Sequence, residues 1–238
     1  MNDLLKKAIG VQGGMDTWKK YNNVFAHLSV GGILWGMKGH PDSINNVDVV
    51  VDLHEQKASH IPNAEWYTAY TPGKVQIKSG KSDILEETDN PRDSFKGHML
   101  ETQWSNLQLA YFAGYAMWNY LNTPFLFARL GFDVIEIESW TEGSENWRRL
   151  NVKWPKDIHT HSTEQILYID DEGFIRRLDY QVEIAGNTPA AHYLYDYKEV
   201  DGIKMATRRI VYPIGENNMA IKDGLVIVSI DLSEIKLS

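Results

Sequence analysis

The sequence predicts an α+β fold in which a large antiparallel sheet packs against one buried central helix. Short stretches with strand-like alternation occupy most of the 238 residues, and brief turns such as "EVDGI" (199–203) link some of them, which indicates antiparallel neighbours. A single long helical segment interrupts these stretches. No internal repeat, low-complexity tract or linker divides the chain, so residues 1–238 are predicted to form one domain.

The N-terminal region predicts a short helix followed by the first strand. Within residues 3–20, the side chains of Leu4, Leu5, Ala8 and Ile9 share one face of a helix, and "GVQGG" (10–14) interrupts the pattern. From Val24 onwards the residues alternate as in a strand. The pair at 31–32, Gly-Gly, suits a bulge or a sharp bend.

The next two segments predict further strands. In "NVDVVVDL" (46–53), Val47, Val49, Val51 and Leu53 face one side, while Asp48 and Asp52 face the other. The segment "EWYTAYTPGKVQIKSG" (65–80) reads as a hairpin because Pro72 and Gly73 suit the central positions of a turn. Residues 79–97 are polar and charged, and they are predicted to form a loop.

The central helix is predicted from "MLETQWSNLQLAYFAGYAMWNYLNTPFLF" (99–127). Its large apolar side chains recur at helical spacing, and Pro124 ends the run. The second half, residues 109–121, is apolar or aromatic nearly all round, which predicts burial on most sides. The spaced side chains are Trp104, Leu107, Tyr111, Tyr115 and Trp118.

The remainder of the chain, after Gly131, predicts strands to its end. They lie in "FDVIEIESW", "WRRLNVKWP", "IHTHSTEQILYIDDEGFIRRLDY", "AAHYLYDYKEV", "IKMATRRIVYP" and "LVIVSIDLSEIKL". The third of these segments (158–180) reads as a hairpin whose turn is "DDEG".

The length of this turn decides which face its histidines occupy, because a slip of one residue exchanges the faces of a strand. A three-residue loop groups His159 and His161 with Arg177 and Asp179. A four-residue loop groups them with Arg176 and an apolar set that runs from Phe174 to Ile184. The second arrangement separates apolar from polar residues better. It predicts that His159 and His161 face inward, that Arg176 lies near the turn, and that Arg177 and Asp179 lie on a face exposed to water.

Composition excludes several functional classes. A formal net charge of −8 argues against a nucleic-acid binder and against electrostatic docking on anionic lipid. The absence of cysteine excludes disulfides, thiolate metal sites and a cysteine nucleophile. No window is apolar enough for a membrane span, and no secretion signal is evident, so a cytoplasmic location is expected.

Several of these segments resemble the lipoprotein-carrier-like (LolA/LolB-like) half-barrel superfamily. The resemblance lies in the short N-terminal helix, the Gly-Gly bend followed by Trp35, the helix held against a large sheet, and "DYKEVDGIKMATRRIVYP" (196–213) with Asp201 and Gly202 at its turn. More narrowly, "FKGH", "AYFAGYAMWNYLNTPF", "WRRLNVKWP", the 159–180 hairpin and "DGIKMATRRIVYP" (201–213) resemble uncharacterised bacterial proteins of similar length. The superfamily resemblance implies an open half-barrel whose apolar concave face receives acyl chains or similar amphiphiles. No site residue carries over from it.

The histidine pair allows two kinds of chemistry. On a strand, His159 and His161 would lie about 7 Å apart at their Cα atoms, a spacing that some metal sites use. A third ligand would have to come from His192, His98 or Glu136, and none is fixed by the sequence. Hydrogen-bonded histidines at a cavity rim are the favoured interpretation, so no metal or cofactor is predicted.

Acid–base chemistry is the other possibility, because histidine titrates near neutral pH. We assign His161, His159 and Tyr180 as candidate catalytic residues. Arg176 would hold an anionic head group. The remaining predicted ligand-binding residues are Gln165, Tyr111, Tyr115, Trp118, His192 and Tyr193.

The favoured function is the binding, with or without chemical transformation, of an apolar or amphiphilic small molecule such as an isoprenoid, a polyketide or a fatty-acyl compound. Its cavity is expected to be apolar with a polar mouth. An isomerase, cyclase or hydrolase that uses a histidine is the first alternative. A protein–protein adaptor is the second. The sequence does not indicate an oligomeric state.

Overall fold

The computed structural model describes residues 1–238, and its main element is one 13-stranded antiparallel sheet that remains open at both edges. The predicted fold class and half-barrel architecture are confirmed. The strands are β1 (Asn23–Gly31), β2 (Asn46–Asp52), β3 (Ala58–Ile61), β4 (Trp66–Thr71), β5 (Lys74–Ser79), β6 (Ile84–Asp89), β7 (Asp133–Glu142), β8 (Glu145–Lys153), β9 (Glu164–Ile169), β10 (Ile175–Val182), β11 (Thr188–Val200), β12 (Ile203–Pro213) and β13 (Val228–Leu237).

Four α-helices accompany the sheet, and none has the length and apolar character needed to cross a membrane. Short 3-10 turns occur elsewhere, including one at Pro91–Phe95. The helices are α1 (Asp3–Val11), α2 (Met15–Trp18), α3 (Leu34–Met37) and α4 (Asn106–Asn122).

The strand order shows two meanders joined at their first and last strands. One runs from β1 to β6 and the other from β13 back to β7, with the pair β1–β13 between them. In this pair Val24 lies opposite Leu237, and Val30 lies opposite Ile230. The two free edges are therefore β6 and β7, and α4 lies between them in the chain and packs across the concave face against β2 to β6.

Helix α4 begins with a capping box and is buried along most of its length. The Ser105 hydroxyl accepts from Gln108 N at 3.2 Å, and the Gln108 side chain accepts from Ser105 N at 2.9 Å. From Leu109 to Asn122 every residue is buried, which confirms the prediction. Glycine is required at position 114, because an added Cβ would lie 2.4 Å from the ring of Tyr70 on β4.

The predicted N-terminal helix divides into α1 and α2. Gly13 and Gly14 between them have φ values of 118° and 80°, which favour glycine. The buried face of α1 is the predicted one: Leu4, Leu5, Ala8 and Ile9.

Residues 79–97 do not form the predicted loop. They contain β6 and the 3-10 turn at Pro91–Phe95. The side chains of β6 are almost all exposed because it is an edge strand, so its sequence lacks the alternation that marks a half-buried strand. Strand β3 was also not predicted; it is only four residues long.

The register of β9 and β10 confirms part of the predicted hairpin. Leu178 pairs with Leu167, which places these residues and Tyr180 on the concave face, as the four-residue loop predicts. The turn itself differs, since Ile175 pairs with Ile169 and the register shifts at Arg176. His159 and His161 are not on a strand, because β9 begins only at Glu164.

The opposite, convex face of this hairpin is not exposed to water as predicted. Arg177 is 0% exposed and Asp179 is 6% exposed. The segment between β12 and β13 covers them: Arg177 Nη2 donates to Asn218 O at 2.7 Å, and Asn218 Nδ2 donates to Asp179 at 3.1 Å. Trp147 is buried in the same cluster. This covering is a long-range contact that the local pattern of β10 does not contain.

Candidate functional site

The main cavity lies between α4 and the concave face of the sheet, and its volume is about 170 Å³. Of the 27 lining residues, 22 are hydrophobic, and none is Asp, Glu, Lys or Arg. An engineered protein cavity of similar size, about 150 Å³, binds benzene. The space therefore suits one ring or a short section of an apolar chain. Both walls contribute side chains, among them Leu28, Val47, Val211 and Ile230 from strands and Ala116 and Met117 from α4.

The buried end of this cavity carries a hydrogen-bonded group of histidine and tyrosine side chains. His161 is 2% exposed. Its Nδ1 lies 3.1 Å from the Tyr115 hydroxyl, and its Nε2 lies 2.7 Å from the Tyr120 hydroxyl. A neutral imidazole has one N–H donor and one acceptor nitrogen, so one tyrosine donates to the ring and the other accepts from it. Tyr180 stacks on His161 with ring centroids 4.2 Å apart.

The same group extends to a second buried histidine. The Tyr120 and Tyr180 hydroxyls lie 3.1 Å apart, and the Tyr180 hydroxyl lies 3.5 Å from His192 Nδ1. His192 is completely buried, and its Nε2 has no hydrogen-bond partner. The structure thus brings together four residues predicted separately, His161, Tyr180, Tyr115 and His192. Tyr120, which connects them, was not predicted.

Burial keeps this group uncharged at neutral pH. Desolvation, with a smaller contribution from Arg92, lowers the pKa of His161 to about 3. Desolvation also raises the pKa of Tyr120 to about 12. Both ring nitrogens of His161 are already hydrogen-bonded to tyrosines, so the imidazole has no free nitrogen for a guest and is poorly suited to taking a proton from it.

The mouth of the cavity is apolar, which reverses the predicted polarity. The half-exposed lining residues include Ile44, Leu100, Val182 and Ile227. His161 lies at the buried end instead of the rim, because Tyr115 and Tyr120 hold it against α4. The entrance is therefore apolar, and the polar atoms of the His161 group lie at the buried end.

A second cavity of about 320 Å³ adjoins the first and is more polar. The two share Ile44, His60 and Ala113 in their walls. His60 is 3% exposed, its Nδ1 has no hydrogen-bond partner, and burial lowers its pKa to about 4. The polar residues that line this second cavity, besides His60, are Ser43, Thr68, Glu86 and Asn106.

His159 and Tyr111 belong to a separate cluster that does not line the main cavity. The Tyr111 hydroxyl lies 2.9 Å from His159 Nδ1 and accepts from Arg92 Nη1 at 3.2 Å. Arg92 also donates to Thr160 O at 3.0 Å and to Glu183 at 2.6 Å. These bonds tie α4 to the segments before β9 and after β10. Arg92 was missed because its local sequence, "DNPRD", is typical of a turn.

Two further predicted binding residues bond to the protein's own backbone and side chains. Trp118 Nε1 donates to Asp52 O at 2.8 Å and to Glu55 O at 2.7 Å. Gln165 Nε2 donates to the Thr160 hydroxyl at 2.6 Å. Neither residue lines the main cavity.

Arg176 and Tyr193 lie away from the cavity. Arg176 pairs with Asp170 at the hairpin turn, so it does not point to a guest in the main cavity. Tyr193 is on the convex face, where its hydroxyl donates to Glu142 at 2.7 Å and contacts Arg177. Its position follows from β11 alternation, since Tyr193 lies opposite Arg177 across the β10–β11 ladder.

The three-ligand metal site that the histidine pair left open does not form. The structure has no group of three or more histidine, aspartate or glutamate side chains placed to hold a metal ion. His161 uses both ring nitrogens on tyrosines. Glu136, on the edge strand β7, forms an ion pair with Arg148 at 2.7 Å.

Comparisons with known proteins support the fold. The sequence matches no protein-family model and no curated protein. Among solved structures, a DUF1329 family protein from Desulfovibrio piger aligns with a TM-score of 0.52 at 10% identity, covering 99% of this chain and 92% of that chain. A LolA superfamily protein from Nitrosomonas europaea aligns with a TM-score of 0.52 at 11% identity, with the same coverage. This confirms the predicted resemblance at the level of the fold.

Proposed function

We propose that this protein binds an apolar or amphiphilic small molecule between α4 and the concave face of its sheet. The observation that carries the proposal is the uncharged, mostly hydrophobic cavity of about 170 Å³ that opens through an apolar mouth. Apolar surface left inside a folded protein favours occupation by an apolar guest. The isoprenoid, polyketide and fatty-acyl classes all contain a section of suitable size and polarity.

The fold supports this proposal. The structural neighbour from Nitrosomonas europaea is a LolA superfamily protein, and the superfamily resemblance implies a concave apolar face that receives acyl chains. Here α4 lies across that face, so the space is a cavity and not an open trough. A guest would be enclosed by the helix on one side and by strands on the other.

The acid–base alternative has less support. A catalytic histidine works best with a pKa near the working pH, whereas that of His161 is lowered to about 3. The adaptor alternative requires a groove that accepts a peptide segment, and a cavity of about 170 Å³ is small for that purpose.

The test is native mass spectrometry of the purified protein, followed by extraction and identification of any bound compound. We expect a non-covalent adduct whose mass disappears on denaturation. The matched variant is Ala116→Phe, which places a ring in the cavity and should remove the adduct. Ile135→Phe, at an exposed position of β7, is the control and should retain it. The proposal fails if the wild-type protein carries no adduct and also fails to bind added octane, octanol and octanoate.

A further inference from the structure

The charges around the main cavity restrict the kind of guest it can hold. None of its 27 lining residues is Asp, Glu, Lys or Arg. The only lining residues that could become charged near neutral pH are His60 and His161. Burial keeps both of these neutral, with pKa values lowered to about 4 and about 3. An ionised head group moved from water into such a space loses its hydration and gains no opposite charge, which is strongly unfavourable.

The buried cations beside the cavity do not supply that opposite charge. Lys38 lies 4.5 Å from the ring of Trp104, but its ammonium donates to three backbone carbonyls, those of Met99, Leu100 and Thr102. An ammonium has three donors, so all are used. Arg209 lies behind Tyr120, where its Nη2 donates to Tyr120 O at the C-terminal end of α4, while its Nε and Nη1 are buried without a partner outside the cavity wall. Neither residue lines the cavity.

Two lining residues nevertheless leave buried polar atoms unpaired. Nδ1 of His60 and Nε1 of Trp104 have no hydrogen-bond partner, although the residues are only 3% and 5% exposed. Buried polar groups are normally paired, and an unpaired one costs about 1–3 kcal/mol. The indole N–H can only donate, and a hydroxyl or carbonyl oxygen can accept from it. A hydroxyl can also bond with either tautomer of His60.

From these observations, and resting on the proposed function, we infer that the guest is an uncharged amphiphile. Its apolar part occupies the main cavity, and a hydroxyl or carbonyl group bonds with His60 and Trp104. Longer guests continue past His60 into the second cavity, whose wall includes Ser43, Thr68 and Asn106. Glu86 is the only charged residue there, which disfavours a second anion. Esters, alcohols and ketones fit this description, whereas free carboxylates and phosphates do not.

The experiment compares three probes that share one tail, octan-1-ol, octanoate and octylammonium, by isothermal titration calorimetry at pH 7.5. We expect octanol to bind at least tenfold more tightly than either ion. Octanoate binding as tightly as octanol would overturn the inference while leaving the proposed function intact. Failure of all three probes and of octane would instead count against the proposed function.

Two variants test the hydrogen-bonding residues. His60→Leu and Trp104→Phe each remove one unpaired polar atom and should weaken octanol binding by about fivefold, the equivalent of one hydrogen bond of about 1 kcal/mol. Octane binding should be unchanged or slightly tighter. His60→Gln, which keeps a donor and an acceptor, should restore part of the octanol affinity. His54→Leu, at an exposed histidine, is the control. Circular dichroism checks that each variant is folded, and full octanol affinity in both His60→Leu and Trp104→Phe would refute the assigned contacts.

Discussion

Replacing Ala116 by leucine tests whether the space beside α4 is truly free. Ala116 is 5% exposed and lines the main cavity. Leucine adds three carbon atoms, and burying each is worth about 0.8 kcal/mol. Ordering the longer side chain costs about 0.5–1 kcal/mol. We therefore expect Ala116→Leu to raise the free energy of unfolding by about 1–2 kcal/mol, provided that the added carbons fit inside the 170 Å³.

A tightly packed position should respond in the opposite direction. Ala8 on α1 is 0% exposed and does not line any of the described cavities. Extra methylene groups in a filled core cost about 1–3 kcal/mol, so Ala8→Leu should destabilise the protein by that amount. Gly114→Ala offers a control on the same helix, because its Cβ would meet the ring of Tyr70.

The measurement is urea-induced unfolding, followed by circular dichroism, with the midpoint compared at constant m-value. The signature is a higher midpoint for Ala116→Leu and lower midpoints for the other two variants. If Ala116→Leu lowers the midpoint as much as Ala8→Leu does, the cavity is not available space. The reasoning behind guest binding would then be refuted.

Three further predictions concern pH, the central helix and the convex face. Three fully buried histidines, His60, His161 and His192, have pKa values that burial lowers well below the 6.5 of an unfolded chain, so the unfolded state binds more protons as pH falls from 6.5 towards 4. The free energy of unfolding should drop by about 1.4 kcal/mol per pH unit for each of them. In urea titrations of His161→Phe, the slope of this free energy against pH should be smaller by one such contribution. An unchanged slope would contradict the prediction. Trp118→Ala should cost about 3–5 kcal/mol with octanol affinity retained in calorimetry, and normal melting with lost binding would overturn the structural role of Trp118. Arg177→Met should cost about 3–5 kcal/mol because Asp179 is left buried without its partner, whereas adding Asp179→Leu should recover most of that loss in thermal melts; no recovery would exclude the pair as the cause.

The elements that could be predicted are those whose burial follows a local period. The valines of β2 alternate between faces, and their buried set, Val47, Val49 and Val51, is the predicted one. The apolar second half of α4 is buried as its composition indicates. In such segments the spacing of apolar residues along the chain determines which side is buried, so the period alone identifies that side.

The site was only partly predictable because its contacts join distant segments. His161 faces the cavity although it lies outside the strand that the prediction assumed, since tyrosines of α4 bind it across 46 and 41 positions of sequence. Tyr120 was missed because α4 is apolar all round, and no stripe distinguishes the cavity side. The burial of the convex face of β10 depends on Asn218, which lies 39 positions after Asp179 in the sequence. No local pattern encodes such a covering.

The junction between the first and last strands has a consequence for biosynthesis. Because β1 pairs with β13 in the middle of the sheet, the two meanders stay separate until the last strand has been made. Before then, β1 and β12 each present an unpaired edge. Val228 and Ile230, both from β13, also form part of the cavity wall. A nascent chain therefore has no enclosed cavity, and a guest of the proposed kind could be enclosed only after β13 has been synthesised.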